Sequence, residues 1–209
     1  MGTADAMGQH GHAKAMPLRV LISYAHDDDA HVERVRDFWL FLRANGVDAR
    51  LDLPAAEERQ DWAQWTAREV QGAHRILVVA SPEYRRRDAG DADPDEGRGV
   101  QSEVRLIRDR FYADQEAGLK LVLPVVLPGC SADDLPSWLA PASATHYTVT
   151  GYTVAGAEKL LRVLTEQPLE TMPGLGAVPY LALAARPGVG TPENCRSRRR
   201  RTGILKARA

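Results

Sequence analysis

Short apolar runs alternate with amphipathic stretches along most of the chain. Three runs are apolar almost throughout, and they cover residues 18–24 (LRVLISY), 75–80 (RILVVA) and 119–127 (LKLVLPVVL). Such runs are typical of the central strands of a parallel sheet, which are buried on both faces. The segment 47–53 (VDARLDL) alternates apolar and polar residues instead, as a half-buried strand does, and Pro54 ends it. A last short strand is expected at 146–150, so the sequence predicts a sheet of five strands.

Amphipathic helices are predicted between these strands. Over residues 32–42 apolar side chains recur every three or four positions, after an acidic stretch at 27–29 and before Gly46. This pattern is typical of a helix with an aspartate N-cap and a glycine just past its last turn. Further helices are expected over 61–72, 100–112 and 155–165, and the charged, Gly-rich segment 85–99 is predicted to be a long surface loop. Alternating strands and helices favour an α/β fold with helices on both faces of a parallel sheet.

The composition fits one globular domain and disfavours several classes of partner. The 209 residues include 27 basic and 28 acidic side chains, a formal net charge of -1, so a nucleic-acid partner is not indicated. No stretch approaches the ~20 apolar residues of a membrane-spanning helix, so no membrane partner is expected. Cys130 and Cys195 are the only cysteines, far apart in sequence, and suggest neither a disulfide framework nor a paired-cysteine zinc site. Sparse cysteine usage favours a cytoplasmic location.

The chain is expected to contain one domain between two tails. Residues 1–16 are rich in Gly, Ala and His and are predicted to be a flexible N-terminal segment. Residues 17–168 contain all the predicted strands and helices. Residues 169–209 are rich in Pro, Gly and Arg and end in a stretch without acids, so they are predicted to be a disordered tail.

The turns after the strands decide the chemistry, because doubly wound sheets bind ligands at the carboxyl ends of their strands. The turn after the first strand, SYAHDDDA, has no glycine, and no GxxxxGK[ST] motif occurs. Dinucleotide-binding and triphosphatase sites built on glycine loops are therefore disfavoured. A phospho-receiver domain needs a carboxylate at the end of its third strand, where this chain has Ser81, so that class is disfavoured as well. The six histidines lack the pairwise spacing of a helical metal site, so no metal is predicted.

Four segments, in order, resemble successive motifs of a SEFIR domain, a family related to the TIR domains: VLISYAHDD, DWAQW, VVASPEYRRR and GVQSEVRLIRDRFY. The resemblance extends over residues 18–167. It implies a flavodoxin-like three-layer sandwich with a five-stranded parallel sheet. It also implies an intracellular signalling or effector role, of the kind found in innate immunity and antiphage defence. Such domains associate with like domains, and a homo-oligomer is expected on activation.

Some members of these families are associated with NAD hydrolysis through a glutamate in the helix after the third strand, and the resemblance gives that catalytic role to Glu103. Residues 99–103 read Gly-Val-Gln-Ser-Glu, whereas TIR domains often have Trp-Cys-x-x-Glu there. A fixed carboxylate suits the reaction, since breaking the nicotinamide–ribose bond builds positive charge on the sugar. NAD is then the expected substrate, and no cofactor is predicted. The alternative is an exposed glutamate that benefits from the helix N-terminus.

Four further residues are expected to bind the substrate at the same rim. Trp62 begins the helix after the second strand, where the family can have an aromatic residue that stacks on a base. The alternative is that Trp62 packs against the core with Trp65, three residues along the same helix. Tyr24 and His26 follow the first strand and Ser81 follows the third, so the topology places all three at the rim.

Arg85, Arg86 and Arg87 are predicted to form an electrostatic surface for a neighbouring copy of the chain, and the alternative is a solvated run balanced by the acids that follow. Two functions are left open. The first is a self-associating NAD hydrolase, which Glu103 favours. The second is a non-catalytic adaptor that works through homotypic contacts, and the absence of a second evident acid at the rim favours it.

Overall fold

The computed structural model describes residues 18–89 and 98–182. The predicted flexible segment 1–16, residues 90–97 of the predicted loop and residues 183–209 of the predicted tail lie outside the described residues. The chain divides into two units, Met1–Thr171 and Met172–Ala209. The described helices and strands all belong to the first unit. In the second unit the described residues, 172–182, contain no helix or strand and are exposed.

The described strands form one parallel sheet in the order β2-β1-β3-β4-β5. They are β1 (Arg19–Ser23), β2 (Asp48–Arg50), β3 (Arg75–Val79), β4 (Val122–Val126) and β5 (Tyr147–Thr148). Each falls inside a segment that the sequence predicts to be a strand. The predicted flavodoxin-like α/β class, with five parallel strands, is therefore confirmed.

The α-helices in the described ranges are α1 (Asp29–Ala44), α2 (Asp52–Ala55), α3 (Trp62–Gly72), α4 (Pro82–Asp88), α5 (Arg98–Ala113), α6 (Gln115–Leu121) and α7 (Glu158–Leu164). Short 3-10 helices cover Ala132–Asp134 and Ser137–Leu139. The predicted aspartate N-cap of α1 is confirmed, since the Asp28 carboxylate accepts from the His31 N–H at 2.6 Å. Asp61 caps α3 in the same way and accepts from the Gln64 N–H at 3.1 Å.

Helices cover both faces of the sheet because successive side chains of each strand point to opposite sides. Val20 and Ile22 of β1 face the layer of α1 and α7, where they pack with Phe38 and Leu42. Leu21, between them, faces the layer that contains α3, α4 and α5. All five side chains are at most 3% exposed. Burying one such side chain contributes about 1.5–3 kcal/mol, so the two layers hold the sheet rigidly beneath its carboxyl edge.

The end of β2 differs from the sequence prediction. The predicted strand 47–53 stops at Arg50, and α2 begins at Asp52. Pro54 does not end a strand here but lies in the first turn of α2, where its missing N–H would have no helical partner in any case. This difference matters for function, because it turns Asp52 from a strand residue into the first residue of a helix.

Two further helices replace other predicted structure. α4 occupies the beginning of the predicted loop 85–99, because Ser81 caps it and Pro82 favours the first turn. α6 extends to Leu121 and so takes the first residues of the predicted strand 119–127. A continuous apolar run does not mark the point where a buried helix passes into a buried strand, so hydrophobicity alone could not locate this boundary.

No helix within the described ranges combines the length and the apolar character that crossing a membrane requires.

Candidate active site

A cavity of about 290 Å³ lies at the carboxyl edge of the sheet, where the loops after β1 and β2 meet α3 and α5. Parallel sheets place such clefts there because the connections leaving neighbouring strands diverge. The residues that line it are Ile22, Tyr24, His26, Asp52, Leu53, Ala56, Trp62, Trp65, Thr66 and Glu103. The structure thus brings together Tyr24, His26, Trp62 and Glu103, which the sequence placed at one rim. Ser81 does not line this cavity.

Asp52 links two of these side chains. The Tyr24 hydroxyl donates to Asp52 Oδ1 at 2.9 Å, and His26 Nε2 lies 3.1 Å from Asp52 Oδ2. The rings of Tyr24 and His26 are stacked, with centroids 4.8 Å apart and planes 22° from parallel. The rim therefore has a second carboxylate beside Glu103, contrary to the sequence expectation that no second acid is evident there.

Sequence reasoning missed Asp52 because the residue seemed to belong to the end of a strand. Its partners are 26 and 28 positions away along the chain, and they meet it only through the pairing of β1 with β2. A usable signal was present all the same. An aspartate directly after a strand of a parallel sheet points to the edge where ligands bind.

The charges around the network shift the pKa of each ring. The hydrogen bond to Asp52 raises the pKa of His26, while partial burial opposes that rise. Burial, and then the negative charge of Asp52, raise the pKa of Tyr24, so its hydroxyl keeps its proton at any physiological pH. Asp52 thus favours a protonated His26 and accepts from an intact tyrosine hydroxyl.

Glu103 lies in the second turn of α5 and is partly buried against the same cavity. Loss of hydration raises the pKa of its carboxyl to about 7. A hydrogen bond from Ser23 and the charge of His26 oppose the rise, and the negative charge of Asp52 adds to it. The alternative of an ordinary exposed glutamate is therefore wrong. At neutral pH this carboxyl is poised between its charged and neutral forms.

The two tryptophans of α3 have different environments. Trp65 is 8% exposed and packs in the core layer with Val70, as expected. Trp62 is 44% exposed, and its ring makes a T-shaped contact with the ring of Trp65, with centroids 5.7 Å apart and planes at 74°. Trp62 thus contacts Trp65 and also lines the cavity, and its stacking on a base stays a prediction.

Ser81 has a different environment from the other predicted substrate-binding residues. Its side chain is fully buried, and its oxygen accepts from the Tyr84 N–H at 3.1 Å as the N-cap of α4. Its hydroxyl donates to Asp27 Oδ1 at 2.8 Å, and Asp27 Oδ2 accepts from the Glu83 N–H at 3.3 Å. Both oxygens of Asp27 thus tie the loop after β1 to the start of α4, a link that the cap interpretation of residues 27–29 did not include.

The three predicted interface arginines lie on α4. Glu83, on the same helix, forms ion pairs with Arg86 at 2.8 Å and with Arg87 at 2.6 Å. The hydrogen bonds in these pairs lower the pKa of the Glu83 carboxyl to about 2. Arg87 is only 12% exposed. Arg85 is exposed and donates to the Asp133 carbonyl at 2.5 Å. Arg85 is therefore the member of the run whose charge is least balanced within α4.

Among the described residues, no group of three or more His, Cys, Asp or Glu side chains is arranged to hold a metal ion.

The sequence profile of the TIR domain family matches residues 20–161, and the chain belongs to that family. Its structure is similar to the crystal structure of a prokaryotic SEFIR domain, with a TM-score of 0.52 and 21% identity, over 76% of this chain and 99% of that one. It is also similar to the TIR domain of the Toll-related receptor TRR-2 from Hydra magnipapillata, with a TM-score of 0.45 and 16% identity, over 71% and 98% of the two chains. No curated protein sequence shows significant similarity to the chain.

The predicted SEFIR/TIR-like family is therefore confirmed. As a TIR domain, the chain is a module of the signalling and protein-interaction type.

Proposed function

We propose that this TIR domain cleaves NAD at the nicotinamide–ribose bond, with Glu103 as the essential carboxylate. The observation that carries the proposal is the position of Glu103, partly buried in a cavity at the carboxyl edge of the sheet, with a pKa of about 7. Perturbed carboxyl groups in clefts of this kind are typical of catalytic sites. NAD is the substrate of this reaction and not a resident cofactor.

The chemistry needs one fixed anion close to the sugar. As the bond to nicotinamide breaks, positive charge develops on the ribose, and a carboxylate held in a poorly hydrated site stabilises that charge more than water does. Glu103 supports this proposal because its carboxyl lines the cavity and is poorly hydrated. Trp62 lines the same cavity and is 44% exposed, and an indole ring suits the flat, electron-poor pyridinium ring of NAD.

The test is the release of nicotinamide by Glu103→Gln. The amide keeps the size and the hydrogen bonding of the side chain but removes the charge. We expect the rate to fall by about 100-fold or more, the usual effect of losing one such electrostatic contribution. Glu116→Gln is the matched control, because Glu116 is 84% exposed on α6 and is paired with Lys120. That variant should cleave NAD at the parental rate.

The assay needs concentrated protein, since activity in this family is expected to accompany assembly. If the parent releases no nicotinamide over a wide range of concentrations, the enzyme proposal is wrong. If the parent is active and Glu103→Gln is equally active, another group carries the reaction. A folded variant is confirmed by thermal melting.

We also propose that the domain self-associates in the cytoplasm, with α4 at the contact. Membership of the TIR family favours homotypic interaction, and the exposed Arg85 supplies a positive charge that α4 leaves without a carboxylate partner. A domain that assembled in this way without cleaving NAD would be the adaptor considered above. The two functions share one fold and differ in the chemistry of the cavity.

A further inference from the structure

We propose that His26 accepts the proton of the water molecule that completes NAD hydrolysis, and that Asp52 and Tyr24 position it for that step. The inference rests on the proposed cleavage of NAD. It adds a second functional group to the cavity and gives it a different step from Glu103. The geometry of the Tyr24–Asp52–His26 network carries it.

The network determines which nitrogen of His26 is free. The Tyr24 hydroxyl donates to Asp52 Oδ1, and Asp52 Oδ2 lies 3.1 Å from His26 Nε2. Asp52 is a carboxylate and can only accept, so Nε2 must carry the proton in that bond. A neutral His26 then has its lone pair on Nδ1. A carboxylate that fixes a histidine tautomer in this way leaves the opposite nitrogen as the base.

The ring is also held in place. It is stacked on Tyr24 with a centroid separation of 4.8 Å, so it cannot turn freely about its bond to the backbone. Among the described residues, Asp52 is the hydrogen-bond partner of the ring, and the His26 side chain remains 52% exposed. His26 thus lines the cavity with one nitrogen anchored and the ring open to water.

Hydrolysis takes place in two steps. The bond between ribose C1′ and the nicotinamide nitrogen breaks, and its electron pair leaves with neutral nicotinamide. The sugar cation that results is stabilised by Glu103. A lone pair of a water oxygen then forms the bond to C1′, and a proton of that water passes to His26 Nδ1. Asp52 stabilises the imidazolium, which returns the proton to solvent because the ring is half exposed.

The charged groups that act on His26 come from three elements: Asp52 of α2 and Glu103 of α5 favour the imidazolium, and Arg87 of α4 opposes it. His31 of α1 is a further titratable neighbour, and burial lowers the pKa of His31. The bond to Asp52 is the strongest of these influences, and the pKa of His26 is raised. A base works only when it is neutral, so hydrolysis should fall as the pH drops through this raised pKa.

The test separates departure of nicotinamide from capture by water. Full-length protein is incubated with NAD and isotopically labelled nicotinamide. Labelled nicotinamide that becomes incorporated into NAD measures the exchange reaction, and free ADP-ribose measures hydrolysis. Exchange needs no base, because the nicotinamide nitrogen attacks with a lone pair and has no proton to lose. Hydrolysis needs one.

For His26→Gln we expect hydrolysis to fall by about 100-fold or more, the usual contribution of a positioned base, and to fall far more than exchange, so that the ratio of hydrolysis to exchange drops. His74→Gln is the matched control. His74 accepts from the Arg19 N–H beside the start of β1, at the opposite end of the sheet. Its replacement should leave the ratio of hydrolysis to exchange unchanged.

Asp52→Asn is a second and independent variant, which leaves His26 in place. Removing the carboxylate should lower the pKa of His26, so the acid limb of the hydrolysis profile should move to lower pH while the maximal rate falls. If both variants keep the parental ratio of hydrolysis to exchange, His26 is not the base. Equal loss of both reactions in His26→Gln would also overturn the inference, since it would mean a role in binding or folding. A parent that releases no nicotinamide overturns the proposed function, and the inference falls with it.

Discussion

At the scale of the single residue, burial opposes the charge that the proposed reaction requires of Glu103. The folded state holds the proton of this carboxyl with a pKa of about 7, against 4.5 for the unperturbed group. Between those two values the folded state binds more protons than the unfolded chain. Stability therefore declines as the pH rises from about 4.5 through 7, because ionisation of Glu103 is easier in the unfolded chain.

Glu103→Gln should accordingly stabilise the fold at alkaline pH while it slows the proposed cleavage of NAD. The amide needs no charge in the cavity, so the free energy of unfolding at pH 8 should increase by up to about 3 kcal/mol, the equivalent of the pKa shift. The gain should shrink towards zero near pH 4.5, where the parental carboxyl is already neutral in the folded state. Denaturant unfolding at both pH values is the measurement.

The exposed control Glu116→Gln should show no such pH-dependent gain. If the gain of Glu103→Gln at pH 8 equalled that at pH 4.5, the carboxyl would not be strained by its site. A stabilising substitution that removes activity would be the signature of a residue kept for chemistry and not for packing.

At this scale the sequence predicted those site residues that lie near the ends of predicted strands. Tyr24 and His26 follow β1, and Trp62 begins α3, so topology alone brings them to one cavity. Asp52 was missed because its hydrogen bonds to Tyr24 and His26 depend on the pairing of β1 with β2, and its position after a strand indicated only the edge of the sheet at which it lies. Ser81 follows β3 as expected, but its hydroxyl is buried and caps α4.

At the scale of the element, α4 depends on a link between two loops. Ser81 caps the helix and donates to Asp27, which also accepts from the Glu83 N–H. The helix carries Tyr84, a fully buried side chain whose hydroxyl lies 3.0 Å from that of Ser23 under the cavity. The loop after β1, which carries Tyr24 and His26, and the helix with the exposed arginine are thus tied together.

A double-mutant cycle tests this link. Ser81→Ala should lower the free energy of unfolding by about 1–2 kcal/mol, as loss of a serine cap does. Asp27→Ala should lower it too, and the two losses should be coupled by about 1 kcal/mol because the side chains share one hydrogen bond. Asp29→Ala, in the first turn of α1, is the matched control, and its effect should add to that of Ser81→Ala. Additive losses for Asp27 would show that the bond contributes nothing.

Elements were predictable where one hydrophobic pattern had one structural meaning. The cores of β1, β3 and β4 are continuous apolar runs, and α1 and α3 have both the helical period and an aspartate cap. α4 was missed because its apolar contribution comes from Tyr84 and because Ser81-Pro82 fits a strand end as well as a helix start.

At the scale of the whole molecule, the order of the strands explains why the candidate site residues lie together at one edge of the sheet. β1 and β3 are central, β2 and β5 are the edges, and the cavity opens where β1 and β2 end. Helices on both faces leave the carboxyl edge and the helix surfaces for contact with other molecules. NAD chemistry is proposed for the first and self-association for α4, so different substitutions can be directed at each.

The prediction for assembly concerns Arg85 alone. Reversing all three arginines would also break the pairs that Arg86 and Arg87 form with Glu83, and so would disturb α4 itself. Arg85→Glu avoids this, because the Arg85 side chain contacts only the Asp133 carbonyl among the described hydrogen-bonding groups. If α4 meets an acidic surface of a second copy, the reversed charge should repel it and weaken the oligomer.

Sedimentation velocity over a range of protein concentrations measures this effect. The Arg85→Glu variant should remain monomeric at concentrations where the parent associates. Added salt should also weaken association of the parent, since exposed charges are screened. Arg105→Glu, which reverses an exposed arginine on α5, is the matched control and should sediment like the parent. Unchanged association of Arg85→Glu would remove α4 from the interface. If that variant instead lost association and nicotinamide release together while its cavity residues stayed intact, assembly would be a requirement of catalysis and not merely its companion.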